Sequence, residues 1–135
     1  MDPGLDAAFR RSRYLVWLTP ATWFRFTVDQ PLPAGLAHAI AGAPWAHVTA
    51  CNPQSRPTSD AANLAAQQAL YAALRALPAT RDIHPAIGLG PEGWHEPSLF
   101  VVGPETAELD RLMRRFGQLA YLHGRGEWPV KLRWL

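Results

Sequence analysis

Two short apolar stretches near the start of the chain carry the residue types that favour β-strands. Residues 14–18 and 22–28 are rich in aromatic and β-branched side chains, and Thr19, Pro20 and Ala21 separate them. A break of this kind between two such stretches indicates a turn. The pattern predicts an N-terminal β-hairpin, and we expect residues 1–12 before it to be flexible.

The chain from residue 45 onward alternates between strand and helix patterns. Apolar runs bounded by turn-forming residues indicate strands, and leucines at helical spacing among alanines indicate a helix that Ser59 or Asp60 caps and Pro78 ends. Residues 31–44 are rich in proline and glycine, which predicts a connector with at most a short helix. The predicted elements are strand 45–51, helix 60–77, strands 83–89 and 97–102, helix 105–116, a strand beginning at Tyr121, and a returning strand at 130–135.

This order of elements predicts an α+β fold. The succession strand, helix, strand, strand, helix, strand is typical of a ferredoxin-like split βαβ core (β-α-β-β-α-β). That core would span residues 45–124 of a single domain, 1–135. We expect a mostly antiparallel sheet with both helices on one face, extended by the N-terminal β-hairpin and by the last strand.

Composition places the chain among ordinary globular proteins. Its 135 residues are 48% hydrophobic and 18% charged, which suits one continuous core. Cys51 is the single cysteine, so no internal disulfide can form, and the first residues lack a signal-peptide pattern. No apolar run reaches the roughly 20 residues that span a bilayer. We therefore expect a cytoplasmic protein that does not associate with membranes.

The net charge does not indicate one class of binding partner. A formal charge of +2 and a pI near 9.1 make the surface mildly basic. Arginines near tryptophans and tyrosines keep nucleic-acid binding open as a minor alternative, but residues 97–103 lack the basic-glycine-aromatic pattern of an RNA-binding strand. Exposed tryptophans could equally form a homodimer.

The predicted topology brings polar residues from distant parts of the chain to one edge of the sheet. If the first core strand runs up and its helix runs down, the loop after Cys51, the start of that helix, the turn around Trp94 and the end of the second helix share an edge. Loops on a rigid scaffold are where sites usually lie. The ligand-binding candidates there are Asn52, Ser55, Asn63, Trp94, Glu96, Ser98 and Gln118, with His95 beside them.

Four short motifs contain most of these candidates. They are TACNPQS at 49–55, SDAAN at 59–63, WHEPS at 94–98 and RFGQ at 115–118. Together they resemble domain-of-unknown-function family 3293, which shows an Asn-Pro-x-Ser turn, an Asn at a helix start, Glu-x-Ser at a strand start and Phe-Gly-Gln at a helix end. The resemblance covers Tyr14 to about Leu122, and it implies a bacterial source and a shared fold but no reaction. Pro97 departs from the pattern and predicts an edge or bulge position.

Glu96 is the candidate catalytic residue. Beside Trp94 it could act as a general acid or base with a raised pKa, or it could accept hydrogen bonds from the Asn-Pro loop. The structural role is favoured because the sequence places no histidine or second carboxylate to work with it. Structural roles also fit Asn52 and Ser55, which could close a turn, and Gln118, which could bind helix-end carbonyl groups.

Metal and cofactor sites are not predicted. His47 and Cys51 are four residues apart and could share a strand face, but nothing in the sequence completes a metal site. We expect Cys51 to be a small buried residue rather than a nucleophile. Gly88, Gly90 and Gly93 do not form a phosphate-binding loop, because no helix follows them.

Three functions from different classes remain open. The leading hypothesis is a non-catalytic binding or regulatory domain that holds a small ligand or a partner's chain at the polar edge. The first alternative is a small hydrolase or transferase in which Glu96 is the acid or base, while Asn52, Ser55 and Gln118 position the substrate. The second alternative is a weakly basic nucleic-acid-associated protein.

Overall fold

The computed structural model describes residues 1–135 and contains four α-helices, two short 3-10 turns and seven strands. The helices are α1 (Pro3–Arg11), α2 (Ala34–Ile40), α3 (Asp60–Ala76) and α4 (Thr106–Arg115). The strands are β1 (Arg13–Thr19), β2 (Thr22–Phe26), β3 (Pro44–Val48), β4 (Asp82–Leu89), β5 (His95–Val102), β6 (Ala120–Arg125) and β7 (Lys131–Trp134).

All seven strands form one antiparallel sheet in the order β2-β1-β4-β5-β3-β6-β7. The N-terminal hairpin joins the sheet through the pairing of β1 with β4, and β7 joins the other edge through β6. β3 and β4 both lie antiparallel to β5, so their ends share an edge with the starts of β5 and β6. The mixed helix and strand architecture and both extensions of the sheet are therefore confirmed.

Side chains that alternate along the strands enter two separate cores, one on each face of the sheet. Trp45 of β3 belongs to a core that also contains Leu36 of α2. Its neighbour Ala46 belongs to the opposite core, with Leu70 of α3 and Met113 of α4. Both faces are consequently covered by helices. The two predicted core helices, α3 and α4, share one core as expected, and the short helix α2 covers the opposite face. The sheet thus separates two cores, which corrects the expectation of one continuous core.

The N-terminal segment forms helix α1. Asp2 caps it, because its Oδ1 accepts hydrogen bonds from the backbone N–H groups of Gly4 and Leu5 at 2.8 and 3.0 Å. Pro3 stands in the first turn, where its missing N–H is harmless. No helix was predicted in residues 1–12, so α1 is an addition to the predicted elements.

The remaining elements differ from the prediction mainly at their ends. β3 ends at Val48 rather than at Cys51, and β5 begins at His95 rather than at Pro97. The connector contains the short helix α2. Ser59 caps α3, since its Oγ accepts the Ala62 N–H at 3.2 Å. No helix combines the length and the apolar character needed to cross a bilayer.

Candidate functional site

A cavity of about 1080 Å³ lies at the edge of the sheet where β3 and β4 end and β5 and β6 begin. Small-molecule sites typically measure about 300–1,000 Å³, so the cavity is large enough for a sizeable ligand. The structure brings to it every residue that the topology argument placed at this edge. These lining residues are Asn52, Ser55, Asn63, Trp94, His95, Glu96, Ser98 and Gln118.

Small residues on neighbouring strands leave room for the cavity. Ala86 of β4 lies opposite Ser98 of β5, and Gly88 lies opposite Glu96. Ser98 is buried, and its hydroxyl donates to the Glu96 carbonyl oxygen at 3.1 Å. Protein interiors are normally filled by large side chains. Because these positions carry small ones, a hollow remains between the sheet and α1, whose Phe9 also lines it.

The loop after β3 has a strained backbone. Asn52, Gln54 and Ser55 have φ angles of 48°, 59° and 57°, in the left-handed region that costs roughly 1–2 kcal/mol per non-glycine residue. Contacts must therefore hold the loop in place. Gln54 provides two of them, since its backbone N–H and its Nε2 both donate to the Gly117 carbonyl oxygen, at 2.8 and 2.9 Å.

Asn52 joins this loop to α3 and β5. Its backbone N–H donates to Asn63 Oδ1 at 2.9 Å, and its Oδ1 accepts from Asn63 Nδ2 at 2.9 Å and from the Thr58 backbone N–H at 3.0 Å. Its Nδ2 donates to Glu96 Oε2 at 2.9 Å. Asn52 and Asn63 are thus tied to each other, and Glu96 accepts a hydrogen bond from the Asn-Pro loop.

Pro97 lies at a local edge of the sheet. The pairing of β3 with β5 stops at Val48 and Leu99, so Pro97 has a strand neighbour only in β4. Its carbonyl oxygen accepts a hydrogen bond from Thr49 Oγ1 at 2.8 Å. The N–H and C=O of a residue in an antiparallel strand point the same way. The missing N–H of Pro97 therefore faces this unpaired side and removes no ladder hydrogen bond.

Gln118 ties the end of α4 to the segment after β3. Its Nε2 donates to the Cys51 carbonyl oxygen at 3.0 Å and, over a longer distance of 3.4 Å, to the Phe116 carbonyl oxygen. Gly117 between them has a φ of 71°, as expected at a helix end. The predicted contact with a helix-end carbonyl group exists, but the shorter hydrogen bond goes to Cys51. Ser55, in contrast, forms no side-chain hydrogen bond within the protein.

Glu96 is a half-buried carboxylate without a cationic partner. Asn52 binds its Oε2, whereas Oε1 has no hydrogen-bond partner in the protein. None of the ion pairs involves it. Burial raises the pKa of Glu96 from 4.5 to about 7, and the hydrogen bond from Asn52 offsets only part of that effect. Its charge therefore changes near neutral pH, which suits a ligand contact or an acid–base group.

Trp94 forms a wall at the cavity mouth and is 46% exposed. Its ring packs on glycines, because a Cβ atom at Gly90 would lie 2.7 Å from Trp94 Cε3 and one at Gly88 would lie 3.6 Å from Cζ3. Leu64, which is 61% exposed, also lines the cavity. Exposed apolar side chains around an opening are typical of binding sites.

His47 and Tyr14 line the cavity, although the sequence analysis did not include them in the site. The His47 ring packs against the rings of Tyr14 and Phe26, with centroid distances of 5.1 and 5.7 Å. Burial lowers the pKa of His47 to about 4, so the ring is neutral at physiological pH. The sequence shows that His47 lies within an apolar strand. Its contact with Tyr14, however, depends on how the N-terminal hairpin pairs with β4, which is far away in the sequence.

α1 is the other part of the site that the sequence analysis missed. Leu5, Ala8 and Phe9 line the cavity, at the three- and four-residue spacing of one helix face. Asp2 followed by Pro3 is a recognisable helix start, so a signal for this helix was present.

Cys51 is buried, as predicted, with 1% of its surface exposed. Burial raises the pKa of its thiol. A reactive cysteine needs a lowered pKa. The environment therefore suits a packing residue rather than a nucleophile.

Comparison with known families gives one match. The model of the protein family of unknown function DUF3293 matches residues 48–121. The chain belongs to the DUF3293 family. The matched range is shorter than the expected Tyr14 to Leu122, and it contains all seven ligand-binding candidates. Tyr14, His47 and α1 lie outside the DUF3293 match. No curated protein and no solved structure matches the chain.

Proposed function

We propose that this DUF3293 protein binds a small, mostly apolar molecule in the cavity, with Glu96 as its polar contact. The observation that carries the proposal is the unpaired Oε1 of Glu96 in a cavity of about 1080 Å³. The buried side-chain atoms that lack a partner are Trp45 Nε1 and His47 Nε2, so Glu96 Oε1 is open to the cavity rather than enclosed by the protein. A ligand that reaches Oε1 adds a second contact to a half-buried carboxylate that has one hydrogen-bond donor.

The polar residues around the cavity divide into two groups. Asn52, Asn63 and Gln118 are bound to other parts of the protein, so they support the shape of the site. Glu96 and Ser55 keep free polar atoms on the cavity lining. Ser55 is exposed, so water can solvate its hydroxyl, whereas Glu96 is half-buried. The division favours a scaffold that presents a small number of polar groups to a ligand.

The second candidate function is acid–base catalysis by Glu96. The observation that favours it is the Glu96 pKa of about 7, because a general acid or base works best when its pKa is close to the operating pH. No other titratable side chain forms a hydrogen bond with Glu96, so binding remains the better supported function. Turnover of a bound compound that the Glu96→Gln variant binds but does not convert would reverse this order.

We also propose that the core has the ferredoxin-like topology. The strand order β4-β5-β3-β6 supports it, because the first core strand lies between the third and the fourth while the second occupies the edge of this core. The packing of α3 and α4 in one core adds further support. In this arrangement the cavity lies at one end of the core and reaches from the sheet to the start of α3.

Filling the cavity from α1 should weaken ligand binding. Ala8 lines the cavity, so Ala8→Phe places a ring where the ligand would lie, and we expect affinity to fall by about tenfold or more. The measurement is a fragment screen by ¹H–¹⁵N correlation NMR, in which bound fragments should shift the amide signals of Ala86, Ser98 and Ala120.

Ala7→Phe is the matched control. Ala7 is exposed on the same helix and does not line the cavity, so this variant should bind fragments as the original chain does. Signal changes scattered over the surface, or equal binding by the Ala8→Phe variant, would rule the cavity out as the binding site.

A further inference from the structure

We propose that the ligand is a cation, namely an organic amine with an apolar body. This inference rests on the proposed function and adds the chemical class of the ligand. Three features of the cavity carry it: the charges on its lining, the unpaired carboxylate, and two aromatic rings beside that carboxylate.

The charges on the cavity lining have one sign, although the protein as a whole is basic. The chain contains 13 lysines and arginines, and none of them lines the cavity. The lining carboxylates are Asp60 and Glu96. His47 is neutral because burial lowers its pKa to about 4. The lining offers an anionic ligand no lysine or arginine, and its other histidine is His95, whereas a cationic ligand meets two carboxylates.

Arg10 and Arg133 are paired with carboxylates outside the cavity lining. Arg10 of α1 donates to Asp6 at 2.8 Å and to Asp29 at 2.6 Å. Arg133 of β7 forms a two-pronged pair with Asp110, at 2.8 and 2.7 Å. No ion pair of the protein includes Glu96.

Glu96 presents an unmatched charge to the cavity. Burying a carboxylate is unfavourable unless a cation or several hydrogen-bond donors accompany it. Glu96 has one donor, Asn52 Nδ2, on Oε2. A ligand ammonium group at Oε1 would form a charge-assisted hydrogen bond and supply the missing partner.

Two aromatic rings lie next to this carboxylate. Gly88 is the residue directly opposite Glu96 across the pair β4–β5. A Cβ atom on Gly88 would lie 3.6 Å from both Trp94 Cζ3 and Tyr14 Cε1, so the two rings cover this position. Opposed residues of an antiparallel pair have Cβ atoms about 5 Å apart. An ammonium group at Glu96 would therefore lie close to two aromatic rings, a side-chain type that attracts cations.

The rest of the cavity suits an apolar body. Leu5, Phe9, Leu64 and Leu122 line it together with the small residues of the sheet. An amine attached to a bicyclic or longer apolar group could bury that group here while its nitrogen reaches Glu96.

Three compounds with the same ring system and different head groups test the inference. They are 2-(1-naphthyl)ethylamine, the corresponding neutral alcohol 2-(1-naphthyl)ethanol, and the anion 1-naphthylacetate. Binding is measured by isothermal titration calorimetry at about pH 8, where Glu96 is mostly ionised. We expect the amine to bind about tenfold more tightly than the alcohol, and the anion to bind most weakly.

Glu96→Gln removes the negative charge and keeps the side-chain shape. It should reduce amine affinity about tenfold and leave alcohol affinity nearly unchanged, so that the two compounds bind alike. Glu92→Gln is the matched control, because Glu92 is exposed four residues earlier and does not line the cavity. It changes the net charge equally and should leave all three affinities as they are.

The outcomes separate this inference from the proposed function. If the alcohol or the anion binds as tightly as the amine, or if Glu96→Gln leaves amine binding unchanged, the cation inference is wrong while cavity binding stands. If none of the three binds in a way that Ala8→Phe blocks, the proposed function and the inference fail together.

Discussion

Replacing Glu96 with glutamine should stabilise the protein at about pH 8 by about 2–3 kcal/mol. The pKa of Glu96 rises from 4.5 in the unfolded chain to about 7 in the folded protein. The fold therefore favours the protonated carboxyl. Its contribution to stability is complete below the unfolded pKa and is lost as the pH rises through about 7. Glutamine is neutral at every pH, so the variant keeps the stability that the original chain loses.

The measurement is urea unfolding of both proteins between about pH 4 and pH 8. The difference between their free energies of unfolding should be small at the acid end and grow as the pH rises to 8. The pKa of His47 falls to about 4 on folding, so His47 makes the stability of both proteins increase with pH over this range. Comparing the two proteins removes this shared effect. If the variant is less stable than the original at every pH, Glu96 is a structural partner of Asn52 rather than a ligand contact.

Replacing Asn52 with alanine should destabilise the protein by about 2–4 kcal/mol. The variant leaves Glu96 Oε2, Asn63 Nδ2 and the Thr58 N–H without their partner. It also places alanine at a φ of 48°, which asparagine tolerates better.

Asn52→Gly separates the two causes. Glycine accepts the left-handed conformation but loses the same hydrogen bonds, so we expect it to be more stable than the alanine variant by about 1 kcal/mol. Thermal and urea unfolding of the three proteins give the comparison. A loss below about 1 kcal/mol for Asn52→Ala would show that the Asn52 side chain does not hold the loop.

The stability expected of the Glu96→Gln variant also bears on function. A carboxylate that reduces stability when ionised is retained in functional sites, where binding or catalysis requires a group that the fold does not favour. Asn52 is the opposite case, because its hydrogen bonds stabilise the fold. The two substitutions therefore distinguish a functional role for Glu96 from a structural role for Asn52, although the two side chains are hydrogen-bonded to each other.

Local sequence signals were sufficient for much of the fold. The break at residues 19–21 located the hairpin, and Ser59 and Gly117 marked one end of α3 and of α4. The end of β3 was harder to locate. The residue types at 49–51 resemble those of the strand, but their hydrogen bonds go to Pro97, Gln67 and Gln118 instead of a strand ladder.

Part of the cavity lining could also be predicted from the sequence. Strand direction places Asn52, Glu96 and Gln118 at one edge, because it follows from the order of the elements alone. The roles of Tyr14 and His47 depend on the register of the hairpin against β4 and on the burial of β3, which the sequence does not specify. The unpaired state of Glu96 Oε1 depends on where every neighbouring donor lies, which requires coordinates.

The central claim is that the fold holds the Glu96 carboxyl half-buried at the cavity without a cationic partner. A direct test is the pKa of this carboxyl, measured by following its side-chain ¹³C signal in an NMR pH titration and assigned with the Glu96→Gln variant. Burial of the carboxyl places this pKa at about 7. A value at or below about 4.5, the ordinary range for glutamate, would mean that solvent or other protein groups already satisfy the carboxylate, and would contradict it.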